Sequence, residues 1–167
     1  MPYNHASTLW STDADCFFRG RHVSPLRQSG PHCVSTVLAM LTAQTPATFQ
    51  GKMNTQDRVS WSTALSEFGM KLAYCPTDVR KLRFYLPELL RLDDLFTLSY
   101  YSPCDESILD DPNDEGWVCG SHIVILHRSQ VIDPASGRSV EVNAHHCGDH
   151  FTKRIFRVVP VDCPRGL

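Results

Sequence analysis

The chain lacks an excess of either charge, and it lacks long hydrophobic runs. Its 167 residues include 16 Lys and Arg against 18 Asp and Glu, which gives a formal charge of -2. Proteins that bind nucleic acid need a basic surface to neutralise phosphates, so we expect no nucleic-acid partner. No stretch reaches the roughly 18 consecutive apolar residues that span a bilayer, so we expect no membrane insertion.

The start of the chain also lacks the features of a signal peptide, since residues 1–16 mix polar and acidic side chains among the apolar ones. The cysteines lack a repeating spacing. Seven of them stand at positions 16, 33, 75, 104, 119, 147 and 163, an odd number that suits reduced thiols better than a disulfide framework. These absences predict a cytoplasmic protein, either in the producing cell or in a host cell.

The first half of the chain has helical patterning. Apolar residues recur at i, i+3, i+4 and i+7 over residues 33–41, which predicts a helix with one buried face. Pro31 is predicted at its first position, with Ser29 or Gly30 as the N-cap. A second stripe covers residues 61–68.

A third helix is predicted from Thr77, with Pro87 either ending it or separating a second piece over residues 88–92. The rest of the chain is rich in β-branched and aromatic residues between turn-forming clusters. Strands are predicted over residues 71–74, 95–101, 122–127, 131–133, 139–142 and 154–161.

This order of elements predicts a single α+β domain over residues 1–167, with N-terminal helices packed on a C-terminal, mostly antiparallel sheet. Residues 1–27 are expected to form a polar N-terminal extension. Residues 103–117 form a long acidic loop directly before a strand, which makes that loop a candidate lid or substrate-contact segment.

Cys33 is the first candidate for chemistry, because it opens the first predicted helix and so lies at the positive end of the helix dipole. A thiolate is the nucleophilic form of cysteine, and a helix N-terminus or a neighbouring imidazolium favours it. A free cysteine is, on its own, more often a buried packing residue. The catalytic interpretation therefore depends on a histidine that reaches Cys33.

His122 is the histidine we favour, because it begins an apolar strand and its ring can project from the end of the sheet. If Arg128 and Ser129 form a two-residue turn, Val124 pairs with Asp133. Side chains alternate along a strand, so Asp133 then becomes a diagonal neighbour of His122, about 7 Å away at the backbone. A register shift of one residue would place the carboxylate on the opposite face.

Gln28 is the fourth candidate. It lies five residues before Cys33, across a Gly-Pro turn. Its amide could donate to a developing oxyanion together with the backbone N–H of Cys33. The alternative is an ordinary loop glutamine with no catalytic role.

These residues resemble the papain-like superfamily of cysteine peptidases, and most closely its bacteriocin-processing branch, which removes double-glycine leader peptides. The resemblance rests on Gln28 before a helix-opening Cys33, on residues 120–126 (GSHIVIL) and on Asp133-Pro134 after the next strand.

The resemblance implies a papain-like fold, no cofactor, and hydrolysis of a peptide or isopeptide bond in a peptide or protein through a thioester acyl-enzyme. It also implies a triad of Cys33, His122 and Asp133, with Gln28 as the oxyanion donor. The same constellation serves transamidation or deamidation in related enzymes, and a degenerate member would bind a peptide without cutting it.

A second cluster, residues 145–150 (HHCGDH), suggests zinc, because imidazole and thiolate are its preferred ligands. Structural zinc normally uses two separated ligand pairs, and the chain has no CxxC partner, so we expect no metal. Cys147 is an alternative nucleophile, with His145 or His150 close in sequence. Its predicted loop position lacks a helix dipole, so we prefer Cys33.

Overall fold

The computed structural model describes residues 9–10, 15–101 and 121–167. The acidic loop predicted over residues 103–117 lies outside the described residues. So do Gly120 of the histidine motif and two parts of the N-terminal extension, residues 1–8 and 11–14.

The described residues form an α+β structure with three α-helices and a six-stranded sheet, as predicted. All of its strand pairs are antiparallel. None of the described helices has the length and apolar character needed to cross a membrane. The helices are α1 (Cys33–Thr42), α2 (Arg58–Ser66) and α3 (Leu86–Leu92), and the strands are β1 (Met70–Cys75), β2 (Leu95–Tyr101), β3 (Ser121–His127), β4 (Gln130–Asp133), β5 (Arg138–Glu141) and β6 (Thr152–Pro160).

The sheet buries apolar side chains on both faces, in the order β1-β6-β2-β3-β4-β5. One face packs against α1 and α2 and includes Ile123 and Ile125 of β3. The opposite face packs against α3 and includes Val124 and Leu126. Because side chains alternate along a strand, β3 lies between the two apolar layers and contributes to each. α1 packs directly against this strand.

The prediction that Pro31 is the first residue of α1 is wrong by two residues. The helix begins at Cys33, and His32 is its N-cap without any side-chain capping hydrogen bond. A turn at Gly30, whose φ is 64°, continues through Pro31 before helical dihedrals begin. Pro31 therefore precedes the helix, whereas the prediction that Cys33 opens the helix is confirmed.

The helix predicted from Thr77 is also wrong. Residues 76–80 form no helix, the chain bends at Val79, and Val79 is exposed to solvent instead of packing on a helix face. A 3₁₀ turn follows at Leu82–Phe84, and α3 then carries Pro87 in its first turn. Proline is tolerated there because the first N–H groups of a helix have no partner within it. The alternative of a separate helix over residues 88–92 is confirmed, with an earlier start.

Part of the predicted polar extension belongs to the folded core. The backbone N–H groups of Phe17 and Phe18 donate to the Asp94 carboxylate, at 3.0 and 2.9 Å. Asp94 also pairs with Arg157 of β6 at 2.7 Å, and both side chains are fully buried. The buried apolar residues of this segment are Leu9, Trp10 and Val23.

Candidate active site

Three of the predicted residues meet at one end of the sheet. Cys33 is the first residue of α1, His122 the second residue of β3, and Asp133 the last residue of β4. His122 Nε2 lies 2.7 Å from Asp133 Oδ1, and the Cys33 side chain is close enough to the His122 ring to raise its pKa. Since Nε2 is engaged by the carboxylate, Nδ1 is the ring nitrogen left for the thiol.

The β3–β4 hairpin explains why Asp133 reaches His122. Residues 128–129 form the predicted two-residue turn, and His127 pairs with Gln130. Extending this register to the end of β4 places Asp133 on the same face as His122. The register prediction is therefore confirmed, together with the hydrogen bond expected from it.

The electrostatics of the site favour an ion pair. Burial of the His122 ring lowers its pKa, but the hydrogen bonds with Asp133 and Cys33 outweigh burial and raise it to about 9. Burial likewise raises the pKa of Asp133. The hydrogen bonds from His122 and His145 outweigh the effect of burial and hold the pKa of Asp133 well below its usual range. At neutral pH the ring is therefore an imidazolium beside a carboxylate.

Asp133 has two further donors. The Ala135 backbone N–H donates to Oδ1 at 2.9 Å, and His145 Nε2 lies 2.8 Å from Oδ2. Sequence reasoning considered His145 only as a zinc ligand or as a partner of Cys147. Nothing in the local pattern points to Asp133, since the contact forms only when the turn after β5 folds back onto the end of β4.

Tyr100 of β2 forms one wall of the site. It pairs with His122 across the sheet, and the two ring centroids lie 5.8 Å apart in an edge-on arrangement. His150 stacks on its other side at 5.1 Å. Burial raises the pKa of the Tyr100 phenol, and the charges of Asp133 and Cys33 raise it further. Its buried hydroxyl remains protonated and has no hydrogen-bond partner among the described residues.

Gln28 lies next to the Asp133 turn. Its backbone N–H donates to the Pro134 carbonyl at 2.7 Å, which joins the segment before Cys33 to the segment after Asp133. Its side-chain amide donates to the Gly30 carbonyl at 2.9 Å. This bond uses only one of the two amide N–H groups, so the other can still donate to an oxyanion. The oxyanion role of Gln28 stays a prediction.

Cys147 has a different environment from Cys33. It lies in a 3₁₀ turn, His146–Asp149, and is completely buried. Burial raises the pKa of this thiol to about 11, which opposes formation of the nucleophilic thiolate. Within residues 9–10, 15–101 and 121–167, no three His, Cys, Asp or Glu side chains are grouped so that they could hold a metal ion.

Comparison with known proteins adds no family assignment. No protein-family model matches the chain, and no curated protein or solved structure gives a match. The arrangement of Cys33, His122 and Asp133 is therefore the main indication of function.

Proposed function

We propose that the protein is a papain-like cysteine peptidase that hydrolyses a peptide or isopeptide bond. The observation that carries this proposal is the connected series of Cys33, His122 and Asp133 at one end of the sheet. A nucleophile, a base within reach of it and a group that orients the base are the three parts that thiol catalysis requires.

In the first half of the reaction, the Cys33 thiolate attacks the carbonyl carbon of the scissile amide. The carbon–nitrogen bond then breaks, and the departing amine takes the proton that His122 carries at Nδ1. This leaves a thioester between the substrate acyl group and Cys33.

In the second half, His122 removes a proton from water, and the resulting hydroxide attacks the thioester. The carbon–sulfur bond breaks and the acid is released. The Cys33 sulfur leaves as a thiolate, which restores the nucleophile beside the protonated His122 ring.

Each supporting group has a position that suits its role. Asp133 is bonded to Nε2, which leaves Nδ1 as the ring nitrogen that can exchange a proton with the thiol. The helix start at Cys33 supplies backbone N–H groups that have no partner within the helix, and these can stabilise an oxyanion. The amide of Gln28 is the proposed additional donor.

Alkylation kinetics test whether Cys33 is activated. We expect iodoacetamide to label Cys33 about tenfold faster than the exposed Cys16 below pH 7, because a thiolate and not exposure controls the rate. His122→Ala should slow the labelling of Cys33 and leave Cys16 unchanged. Equal labelling of all seven cysteines, read by peptide mass spectrometry, would contradict the proposal.

The type of reaction requires a second measurement. An unfolded protein is incubated with the wild-type chain or with Cys33→Ala, and the products are weighed by intact mass spectrometry. Fragments that appear with the wild type alone support hydrolysis. A gain of about 1 Da per site without cleavage means deamidation and contradicts the peptidase proposal.

A further inference from the structure

The Asp133 carboxylate joins two imidazole rings. Oδ1 lies 2.7 Å from His122 Nε2, and Oδ2 lies 2.8 Å from His145 Nε2. The side chain of His122 is 17% exposed, that of Asp133 is 6% exposed, and that of His145 is 7% exposed. A carboxylate with a donor on each oxygen cannot rotate without losing one of these bonds.

The backbone determines which nitrogen of His145 carries the proton. His145 is the N-cap of the 3₁₀ turn His146–Asp149, and its Nδ1 accepts the backbone N–H of Cys147 at 3.0 Å. In a neutral imidazole one nitrogen donates and the other accepts. The proton therefore resides on Nε2, which makes His145 a preset donor to Asp133.

Packing holds the His145 ring in this position. His146 stacks on it with ring centroids 4.4 Å apart and an interplanar angle of 24°. Cys147, which follows, is fully buried in the apolar layer on this side of the sheet. The ring thus has little freedom to turn away from Asp133.

We propose that His145 is a positioning residue, which holds the Asp133 carboxylate in the orientation that His122 needs and keeps water from its second oxygen. The site is then a series of four residues, Cys33, His122, Asp133 and His145. Any effect of His145 on the reactivity of Cys33 rests on the proposed function. The effect of His145 on the pKa of His122 does not.

The effect on His122 can be isolated from its other neighbours. Among the described residues, the titratable groups around this ring are Cys33 from α1, Tyr100 from β2, Asp133 from β4 and His146 from the 3₁₀ turn. Only Asp133 is bonded to both His122 and His145. His150 belongs to the same histidine cluster and contacts His146, but among the described residues it is bonded to neither His145 nor Asp133, so His150→Ala is a matched control.

The test is an NMR titration of the His122 ring in the full chain. In His145→Ala we expect the pKa of His122 to fall by about one unit, because the carboxylate loses its orientation and gains water. His145→Gln, whose amide can donate from nearly the position of Nε2, should restore most of the wild-type value. His150→Ala should leave it unchanged.

Several results would overturn the proposal: an unchanged or raised pKa of His122 in His145→Ala, an equal fall in His150→Ala, or no restoration by Gln. If the Ala variant fails to fold, His145→Leu fills the space without a donor and allows the same comparison. Should wild-type Cys33 show no enhanced alkylation, the proposed function fails while this titration still decides the role of His145.

Discussion

At the scale of single residues, the site depends on keeping one carboxylate charged away from water. Asp133 is only 6% exposed, and burying an unpaired carboxylate would cost several kcal/mol. Donors from His122, His145 and Ala135 offset that cost. The same bonds hold the His122 ring in place, so the stability of the site and its geometry have a common cause.

The pH dependence of stability tests this pairing. The pKa of His122 is raised from 6.5 to about 9, so its contribution is complete below pH 6.5 and is lost as the pH rises through 9. The pKa of Asp133 is lowered from 3.8, so its contribution is present above that value and is lost in stronger acid. The pair therefore stabilises the fold most between pH 3.8 and pH 6.5, where both contributions are complete.

We therefore expect Asp133→Asn to lower the free energy of unfolding by about 3 kcal/mol near pH 5.5, and by clearly less at pH 10. Urea denaturation at the two pH values measures the difference. The exposed Asp149 is the control, because Asp149→Asn should have little effect at either pH. A loss from Asp133→Asn that is equal at both pH values would contradict the assignment.

At the scale of elements, two chain segments hold the site together. The segment before α1 docks on the turn between β4 and β5 through the bond from Gln28 N–H to the Pro134 carbonyl. In that turn Gly137 has a φ of 67°, and an added Cβ would lie 2.8 Å from Cβ of Arg27. Gly137 is therefore required both for the turn and for the close approach of the segment that leads to Cys33.

Gly137→Ala tests this docking against Gly51→Ala. Gly51 has a φ of 73° and nothing within 4 Å of its added Cβ, so alanine there should cost only the backbone strain of about 1 kcal/mol. Gly137→Ala adds a clash with Arg27 and should cost about 2–3 kcal/mol in total. It should also slow Cys33 alkylation. Equal losses in urea denaturation, with unchanged alkylation, would show that the two segments are not coupled.

At the scale of the whole molecule, a buried ion pair ties the N-terminal segment to the sheet. Asp94 accepts the backbone N–H groups of Phe17 and Phe18, and it also accepts two bonds from Arg157. Arg157 donates in addition to the Asp15 carbonyl at 3.0 Å. Both charges are fully buried, so each depends on the other.

Asp94→Asn should therefore lower the free energy of unfolding by about 3–5 kcal/mol, because it leaves the Arg157 charge buried and uncompensated. The neighbouring Asp93 provides the control. Its ion pairs with Arg19 and Arg128 are partly exposed, so Asp93→Asn should cost about 1 kcal/mol or less. Similar midpoints of urea denaturation for the two variants would contradict this account of the N-terminal segment.

Local residue patterns were sufficient to predict the strands and the contact between His122 and Asp133. β2 covers the predicted residues 95–101, and the β3–β4 hairpin has the predicted turn and register. Both follow from nearest neighbours, because β-branched and aromatic runs favour extended backbone and a two-residue turn determines the pairing. Side-chain alternation then predicted that Asp133 lies on the same face of the sheet as His122.

The remaining features depended on contacts between distant segments. No helix forms at Thr77, and the residues that follow it instead contact the start of β6, where Lys81 bridges Phe151 and the Thr152 N–H donates to the Arg80 carbonyl. The bond from His145 to Asp133 needs the turn after β5 to fold back. A sequence pattern reports local backbone preference and burial, whereas these contacts depend on packing between elements. The amino-acid sequence thus determined the types of elements and placed His122 and Asp133 on the same face of the sheet. Only the tertiary structure places Cys33 and His145 next to these two residues.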